Sequence, residues 1–314
     1  MNTVGFPKVK MKEEKRIALL PTDISRIESP DFLFFARGYG EHYGFSDRDY
    51  RNTGAHIISD KNTYTKDIVC QPKFSDRDLA HLTQSGQIIF GWLHLGEAEE
   101  KTRRLEELED TVIEWSRMQK RDNKMVFRKN NRLTGRIGVL HSIAYAGRIP
   151  EECNVAVIGA GNVGQGAIDQ LEQLKVKSID IYNRQNSKDI KETIGKYDII
   201  VHCASFQGEI LTQGDLRNMK PGALLVHLGS DSIKGRYDTQ SVYSPISFIN
   251  RRENPVYCIN HVPTLAHHTA TEFISRDVAP YINRLVKGNL NLPEFSGAIV
   301  IYNGNILHDR LENR

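Results

Sequence analysis

Val155-Ala-Val-Ile-Gly-Ala-Gly-Asn-Val-Gly-Gln-Gly166 decides the fold class of this 314-residue chain. Four apolar, strand-compatible residues run straight into Gly159, Gly161 and Gly164, and Ala167 to Leu174 follow at helical spacing. A dinucleotide-binding turn needs that order. Gly159 permits the tight strand-to-helix turn, Gly161 lets a pyrophosphate approach the backbone, and Gly164 brings the helix close to the strand. Asn162 and Val163 then open a helix whose free N–H groups and partial positive charge suit phosphate oxygens. A bare G-x-G-x-x-G is a weak signal; strand, turn and helix in sequence make it specific.

The next strand candidate, Ser178-Ile-Asp-Ile-Tyr182, ends in Asn183-Arg184. A site built for NAD usually carries Asp or Glu here, bonded to the ribose 2′-hydroxyl. Arg184 would instead grip a 2′-phosphate through charge-assisted bonds, with Ser187 and Lys188 adding a hydroxyl and a second cation. Asp180 is the competing ribose ligand, but it falls mid-strand, before the loop that meets the ribose. The expected cofactor is therefore NADP, as NADPH, ahead of NAD.

Composition narrows the rest. With 42 Lys and Arg against 39 Asp and Glu, the formal net charge is only +3, not the basic footprint of a nucleic-acid binder. The basic run Arg117 to Arg132 holds a single aromatic, Phe127, and reads as a solvated stretch between domains. The four cysteines are scattered without a C-x-x-C pair, which argues against zinc and disulfides and fits a reducing cytoplasm. No apolar run nears the ~20 residues of a membrane span. The charged residues from Lys8 to Arg16 break up any signal peptide. The expected partners are small-molecule substrates, with neither nucleic acid nor membrane, and a homo-oligomer is left open.

Outward from the glycine turn, strand-like runs recur at residues 2–9, Phe32–Ala36, Ala55–Ile58, Asp67–Cys70, Gln87–Leu93 and Thr111–Trp115. Helical stretches intervene, and Thr22 or Asp23 is positioned to cap one that runs to Ile27. Alternating strands and helices imply an α/β fold with parallel sheets covered on both faces. A helical stretch at Ile137–Ala146 leads to the glycine turn, and Tyr197–His202, Ala223–His227 and Val256–Ile259 read as further strands. Residues 136–259 form one Rossmann domain. Residues 1–135 open a second Rossmann-like domain for the substrate, to which residues 260–314 return through a helix near Thr269–Leu285. The dinucleotide-binding domain is thus inserted in a discontinuous partner, with the active site expected in the cleft between them.

Several separated motifs resemble the alanine dehydrogenase and lysine-forming saccharopine dehydrogenase family over essentially the whole chain. Gly5-Phe-Pro7 followed by Glu14-Lys-Arg-Ile-Ala-Leu-Leu-Pro21 is similar to the family's opening. Phe90-Gly-Trp-Leu-His-Leu95 resembles its strand with the active-site histidine, and Gly229-Ser-Asp231 the turn with an aspartate near the nicotinamide. Ile259-Asn-His-Val-Pro-Thr-Leu265 resembles the saccharopine branch more than the alanine branch. Where the family reads lysine-glutamate-proline, this chain reads Gln71-Pro72-Lys73-Phe74, so the lysine survives and the glutamate does not.

The resemblance implies an NAD(P)-dependent oxidoreductase acting on CH–NH bonds. The short chain and the Asn183-Arg184 ending are most similar to the opine-type synthases, which condense pyruvate reductively with the side-chain amine of ornithine or lysine to give an N-(carboxyethyl) amino acid. It places Arg16 on the substrate carboxylate, where its fork bonds bidentately. His94 becomes the general acid–base, since imidazole titrates near neutrality. Lys73 polarises the carbonyl or shares proton traffic, with its pKa lowered by neighbours and burial. Asp231 orients the amine or meets the nicotinamide, and His261 is a cofactor-side contact. His267 and His268 read as polar residues at a helix start, with no partners spaced for a metal. The alternatives are an NAD-dependent saccharopine or alanine dehydrogenase and, from another class, a non-catalytic NADP-binding redox sensor.

Overall fold

The computed structural model describes residues 1–95, 99–204, 210–229, 240–249 and 254–307. They form two compact units: residues 1–128 with the segment from His267 onward, and Lys129–Ala266.

The first unit is built on β1 (Val4–Phe6), β2 (Leu33–Ala36), β3 (His56–Ile58), β4 (Ile68–Lys73), β5 (Ile88–Trp92) and β6 (Thr111–Glu114). Successive side chains of each strand face opposite sides. Ile68, Cys70, Phe90 and Ile113 join one core, and Val69, Ile89 and Val112 the other. Burial on both faces is why these runs are almost continuously apolar. Four described helices exceed eight residues: α1 (Glu99–Glu107), α2 (Arg128–Ser142), α3 (Asn162–Gln173) and α4 (His267–Val286). Helix α4 lays Ile274, Val278, Ile282 and Leu285 on the first core, the i, i+4 stripe of an amphipathic helix.

The segment between β1 and β2 differs from expectation. A short helix, Pro21–Ile24, starts with Pro21 in its first turn and Leu20 at its N-cap. Asp23 is therefore inside it, and its carboxylate accepts a bond from Ser275 Oγ at 2.6 Å instead of capping. Proline suits that first position because the N–H it lacks would have had no helical partner. Helix α2 begins at Arg128 rather than Ile137, so the end of the basic run is helical. Asn130, Leu133, Gly135, Gly138 and Val139 form its buried face, too polar and glycine-rich a stripe to read as apolar periodicity.

The exit from β4 is fixed by a capping box. Ser75 Oγ accepts from Asp78 N at 3.3 Å, and Asp78 Oδ2 accepts from Ser75 N at 2.7 Å. The buried Asp78 also accepts the Tyr64 hydroxyl at 2.6 Å. Ser75→Ala should lower unfolding free energy by about 1 kcal/mol or somewhat more. A urea midpoint equal to that of the parent would mean the box adds nothing.

The second unit carries β7 (Asn154–Ile158), β8 (Ser178–Tyr182), β9 (Ile199–His202), β10 (Leu224–His227), β11 (Ile246–Ile249) and β12 (Asn254–Tyr257). Their order is β11-β12-β10-β9-β7-β8, with only β11 antiparallel. The chain leaves β7 to one side for β8 and later returns to its other side with β9. That reversal opens a crevice at the carboxyl ends of the strands, where such sheets bind ligands. The final strands, β13 (Ile299–Tyr302) and β14 (Asn305–Ile306), return to the first unit. Its sheet then runs β14-β13-β6-β5-β4-β1-β2-β3, with β13 antiparallel to β6. No helix among the described residues is long and apolar enough to cross a membrane.

Candidate active site

At the carboxyl edge of the first sheet, β4 and β5 pair Cys70 with Phe90 and then Lys73 with Trp92, so β4 holds one extra residue. The resulting bulge falls at Gln71-Pro72, where proline has no N–H for the ladder, and bulges re-aim the side chain that follows. The bulge sets where the Lys73 side chain leaves β4. Gly91 is needed for the approach: a Cβ there would lie 2.2 Å from the Gln71 carbonyl oxygen. Lys73 Nζ consequently reaches 2.5 Å from His94 Nε2.

His94 has a φ of 54°, a left-handed conformation that a non-glycine residue rarely holds without support. Glu114, at the end of β6, gives that support. Its Oε2 accepts the N–H groups of Leu93 and His94 at 3.0 and 2.8 Å. One carboxylate thereby fixes both residues that carry the imidazole beyond the strand.

Arg16 joins this group from a buried, non-regular segment. Its neighbours' backbone groups are satisfied by side chains: Ile17 N by Thr271, Ala18 N by Tyr39, Leu20 N by Ser275, and the Leu19 carbonyl by Tyr50, as buried backbone requires. A turn with Glu13 at φ 67° brings Glu14 back on Arg16. Arg16 Nε and Nη2 donate to the two Glu14 oxygens at 2.8 and 2.6 Å. With both side chains nearly fully buried, such a cation needs a counter-ion. The edge a substrate carboxylate would take bidentately is held by Glu14. The guanidinium also lies 5.3 Å from the centre of a Trp92 ring.

Burial lowers Lys73 to about 8, helped by the Arg16 guanidinium and opposed by Glu14 and Glu114. The stem keeps some solvent contact, but the amine itself is enclosed. Arg16, Lys73 and His94 are thus brought together within one unit. Asp231 lies outside the described residues.

The second unit holds the dinucleotide fingerprint. Gly159 has φ +95°, and a Cβ on Gly164 would sit 1.8 Å from the Gly159 carbonyl oxygen. Gly161 differs, because a Cβ there would meet nothing within 4 Å. The protein itself does not require glycine at this position, whereas a phosphate resting on the backbone does. Gly161 is also the N-cap of α3 and makes no side-chain capping bond. The N–H groups at Asn162, Val163 and Gly164 therefore open the helix without a side-chain cap, which fits a pyrophosphate.

Gly159 N donates to the Tyr182 carbonyl at 2.7 Å, tying the glycine turn to the end of β8. Beyond it, Asn183 N donates to Asn186 Oδ1 at 2.6 Å, and Asn183 Oδ1 accepts from Gln185 N at 2.8 Å. Arg184 is exposed on this locked turn with no ion pair or side-chain hydrogen bond to a described residue, and Ser187 follows half-buried. Asp180 is committed elsewhere, accepting the Tyr197 hydroxyl at 2.7 Å. His261, half-buried at φ 57°, follows β12 at the same carboxyl edge. His267 starts α4, with Nε2 3.1 Å from His42 Nε2 in the first unit.

Glu14 and Glu114 escaped the sequence reading. The available signal was a lone acid ending an apolar strand, Thr111-Val-Ile-Glu114, and an acid two residues from Arg16. Both patterns are also common on solvated surfaces.

Residues 5–129 match the family model described as alanine dehydrogenase/PNT, N-terminal domain, and residues 167–309 the corresponding C-terminal domain. An N(5)-(carboxyethyl)ornithine synthase of Lactococcus lactis subsp. lactis is 26% identical, covering 90% of this chain and 95% of its own. An alanine dehydrogenase of Methanococcus maripaludis is 22% identical over 88% of this chain and 86% of its own. The solved structure of an L-alanine dehydrogenase shares the fold, with a TM-score of 0.80 at 18% identity over 99% of this chain and 98% of its own. The two domain models belong to one family and together span most of the sequence, so the chain belongs to the alanine dehydrogenase/PNT family, oxidoreductases that work with a nicotinamide dinucleotide.

Proposed function

We propose that the chain catalyses the NADPH-dependent reductive condensation of a 2-oxo acid, pyruvate, with the side-chain amine of ornithine or lysine. The product is an N-(carboxyethyl) amino acid. The contact of Lys73 with His94 beside the Arg16–Glu14 pair carries this reading. It joins an anchor for a carboxylate to a proton-transfer pair, the two needs of an oxo acid that becomes an imine.

Arg16 binds the oxo-acid carboxylate, exchanging bonds with Glu14. Lys73, in its ammonium form, donates to the carbonyl oxygen and makes the carbon electrophilic. His94 takes a proton from the attacking amine and returns one to the departing hydroxyl as the carbinolamine loses water. Bound reduced cofactor supplies the hydride. Arg184, with Ser187 and Lys188, holds the 2′-phosphate, Asn183 the ribose edge, and His261 and Asp231 the nicotinamide side. The full-length likeness to carboxyethylornithine synthase supports the substrate pair, and unpaired cysteines suit a cytoplasmic enzyme.

The test is an NADPH-oxidation assay over a matrix of oxo acids and amines, with mass spectrometry of the products. Oxidation should require both partners, with ornithine or lysine better than ammonia, and a carboxyethyl group should appear on the side-chain nitrogen. Faster alanine formation from ammonia and pyruvate would make the chain an alanine dehydrogenase. A preference for 2-oxoglutarate with lysine would make it a saccharopine dehydrogenase, and binding without turnover a sensor.

A further inference from the structure

A cavity of about 430 Å³ opens on the first unit, and none of Arg16, Lys73 and His94 lines it. Its volume falls in the range of small-molecule sites, roughly 300–1,000 Å³. Three stretches far apart in sequence wall it. The segment from Leu20 supplies Asp23 and Arg26, the turn at Glu41–Tyr43 brings in Tyr43 and Phe45, and α4 contributes Glu272 and Arg276 from its exposed side. Leu20, Tyr43 and Phe45 give the cavity its apolar surface.

The charges around it are mixed and loosely held. Asp23 and Glu272 are matched by Arg26 and Arg276, so the carboxylates and guanidiniums balance. Arg26 Nη1 lies 3.3 Å from Asp23 Oδ1, and Arg276 Nη2 lies 3.5 Å from Glu272 Oε2. Both separations exceed the roughly 2.7–2.9 Å of a charge-assisted hydrogen bond. Arg26, Glu272 and Arg276 are also more than half exposed. Pairs so placed are screened by water and hold little energy, so a ligand can exchange them at small cost.

Asp23 is the exception. Its side chain is only 6% exposed, and a carboxylate so nearly removed from water needs good donors. Ser275 Oγ gives one to Oδ2 at 2.6 Å, but the long ion pair with Arg26 is a poor substitute at Oδ1. An ammonium group in the cavity would complete that oxygen. A bare amine would also face two guanidiniums, and a bare carboxylate would face two carboxylates. A molecule that carries both charges a few bonds apart, on an apolar body, meets every group and keeps the cavity neutral.

We propose that this cavity binds a zwitterionic α-amino acid with an apolar side chain. The ammonium meets Asp23 and Glu272, the carboxylate meets Arg26 and Arg276, and the side chain lies against Leu20, Tyr43 and Phe45. The site is separate from the catalytic group and stands whichever reaction the enzyme performs. Its walls also hold the segment that carries Arg16. The Tyr43 hydroxyl donates to the Lys15 carbonyl at 2.8 Å, and Ser275 Oγ accepts from Leu20 N at 2.9 Å.

The test is equilibrium dialysis of the intact chain, without cofactor or oxo acid, against L-phenylalanine, which has no side-chain amine. Two analogues that each lack one charge, phenethylamine and 3-phenylpropionate, are compared with it. Phenylalanine should bind saturably, and each analogue should bind at least roughly tenfold more weakly. Glu272→Gln and Arg276→Gln change exposed positions on α4 and should leave the melting temperature of the free protein as it is. Each should weaken phenylalanine binding roughly tenfold. Asp23→Asn, which keeps the shape and an acceptor for Ser275, should weaken it at least as much. If that variant fails to fold, the two α4 variants decide alone. Absence of saturable binding, analogues that bind as well as phenylalanine, or parent-like affinity in either α4 variant would overturn the assignment.

Discussion

His94→Ala should lower turnover about a hundredfold to ten-thousandfold, the range of a lost general acid–base. In the proposed reaction the imidazole handles both the amine proton and the departing hydroxyl, and Lys73 Nζ lies 2.5 Å from it. Cofactor affinity, measured separately by nucleotide fluorescence, should stay near the parent value, because the glycine turn belongs to the other unit. The pH profile gives a second reading. In the proposed reaction Lys73 acts as an ammonium, so activity should decline as pH rises through its value of about 8. Lys73→Arg, which keeps its charge across the accessible range, should lose that limb even if its absolute rate is low. Near-parent turnover of His94→Ala between about pH 6 and 9 would make His94 a structural residue.

Arg184→Asp should shift the cofactor preference toward NADH. If Arg184 holds the 2′-phosphate as proposed, the substitution removes a charge-assisted partner worth about 1.5–3 kcal/mol, roughly ten- to a hundredfold in NADPH affinity, and installs a carboxylate that repels a 2′-phosphate. The exposed side chain makes no bond to another described residue, so the turn held by Asn183 and Asn186 should survive the change. NADH binding should hold steady or improve, since the new carboxylate can accept from the 2′-hydroxyl. An unaltered ratio of NADPH to NADH activity would remove the basis for assigning NADP.

Local grammar was legible in the sequence. Gly159 and Gly164 declared themselves because each answers a backbone demand that other residues fail, and the strands stood out because burial on both faces leaves little room for polar residues. What stayed hidden depends on contacts between distant segments. Nothing near Glu114 in the chain announces that its carboxylate will hold the backbone of His94, nor near Asp23 that it will bond Ser275. The bulge that aims Lys73 is visible only once β4 is laid beside β5. Helix α2 was read short because Gly135 and Gly138 lie on its buried face, where apolar periodicity would normally mark a core.

The edge of β6 has a consequence for how the chain is made. Its partner β13 comes from Ile299–Tyr302 and is preceded by the whole second unit. During synthesis the ribosome delivers β1 to β6 first, then every strand of the second unit, and only afterwards the segment that completes the first sheet. Residues 129–266 can condense as soon as they emerge, whereas Thr111-Val-Ile-Glu114 must wait with unpaired backbone on one side. A waiting strand of that kind is open to pairing with other chains. Truncation before Ile299 should therefore leave the second unit folded while nascent or shortened chains associate through β6, a difference that protease resistance and sedimentation would register separately.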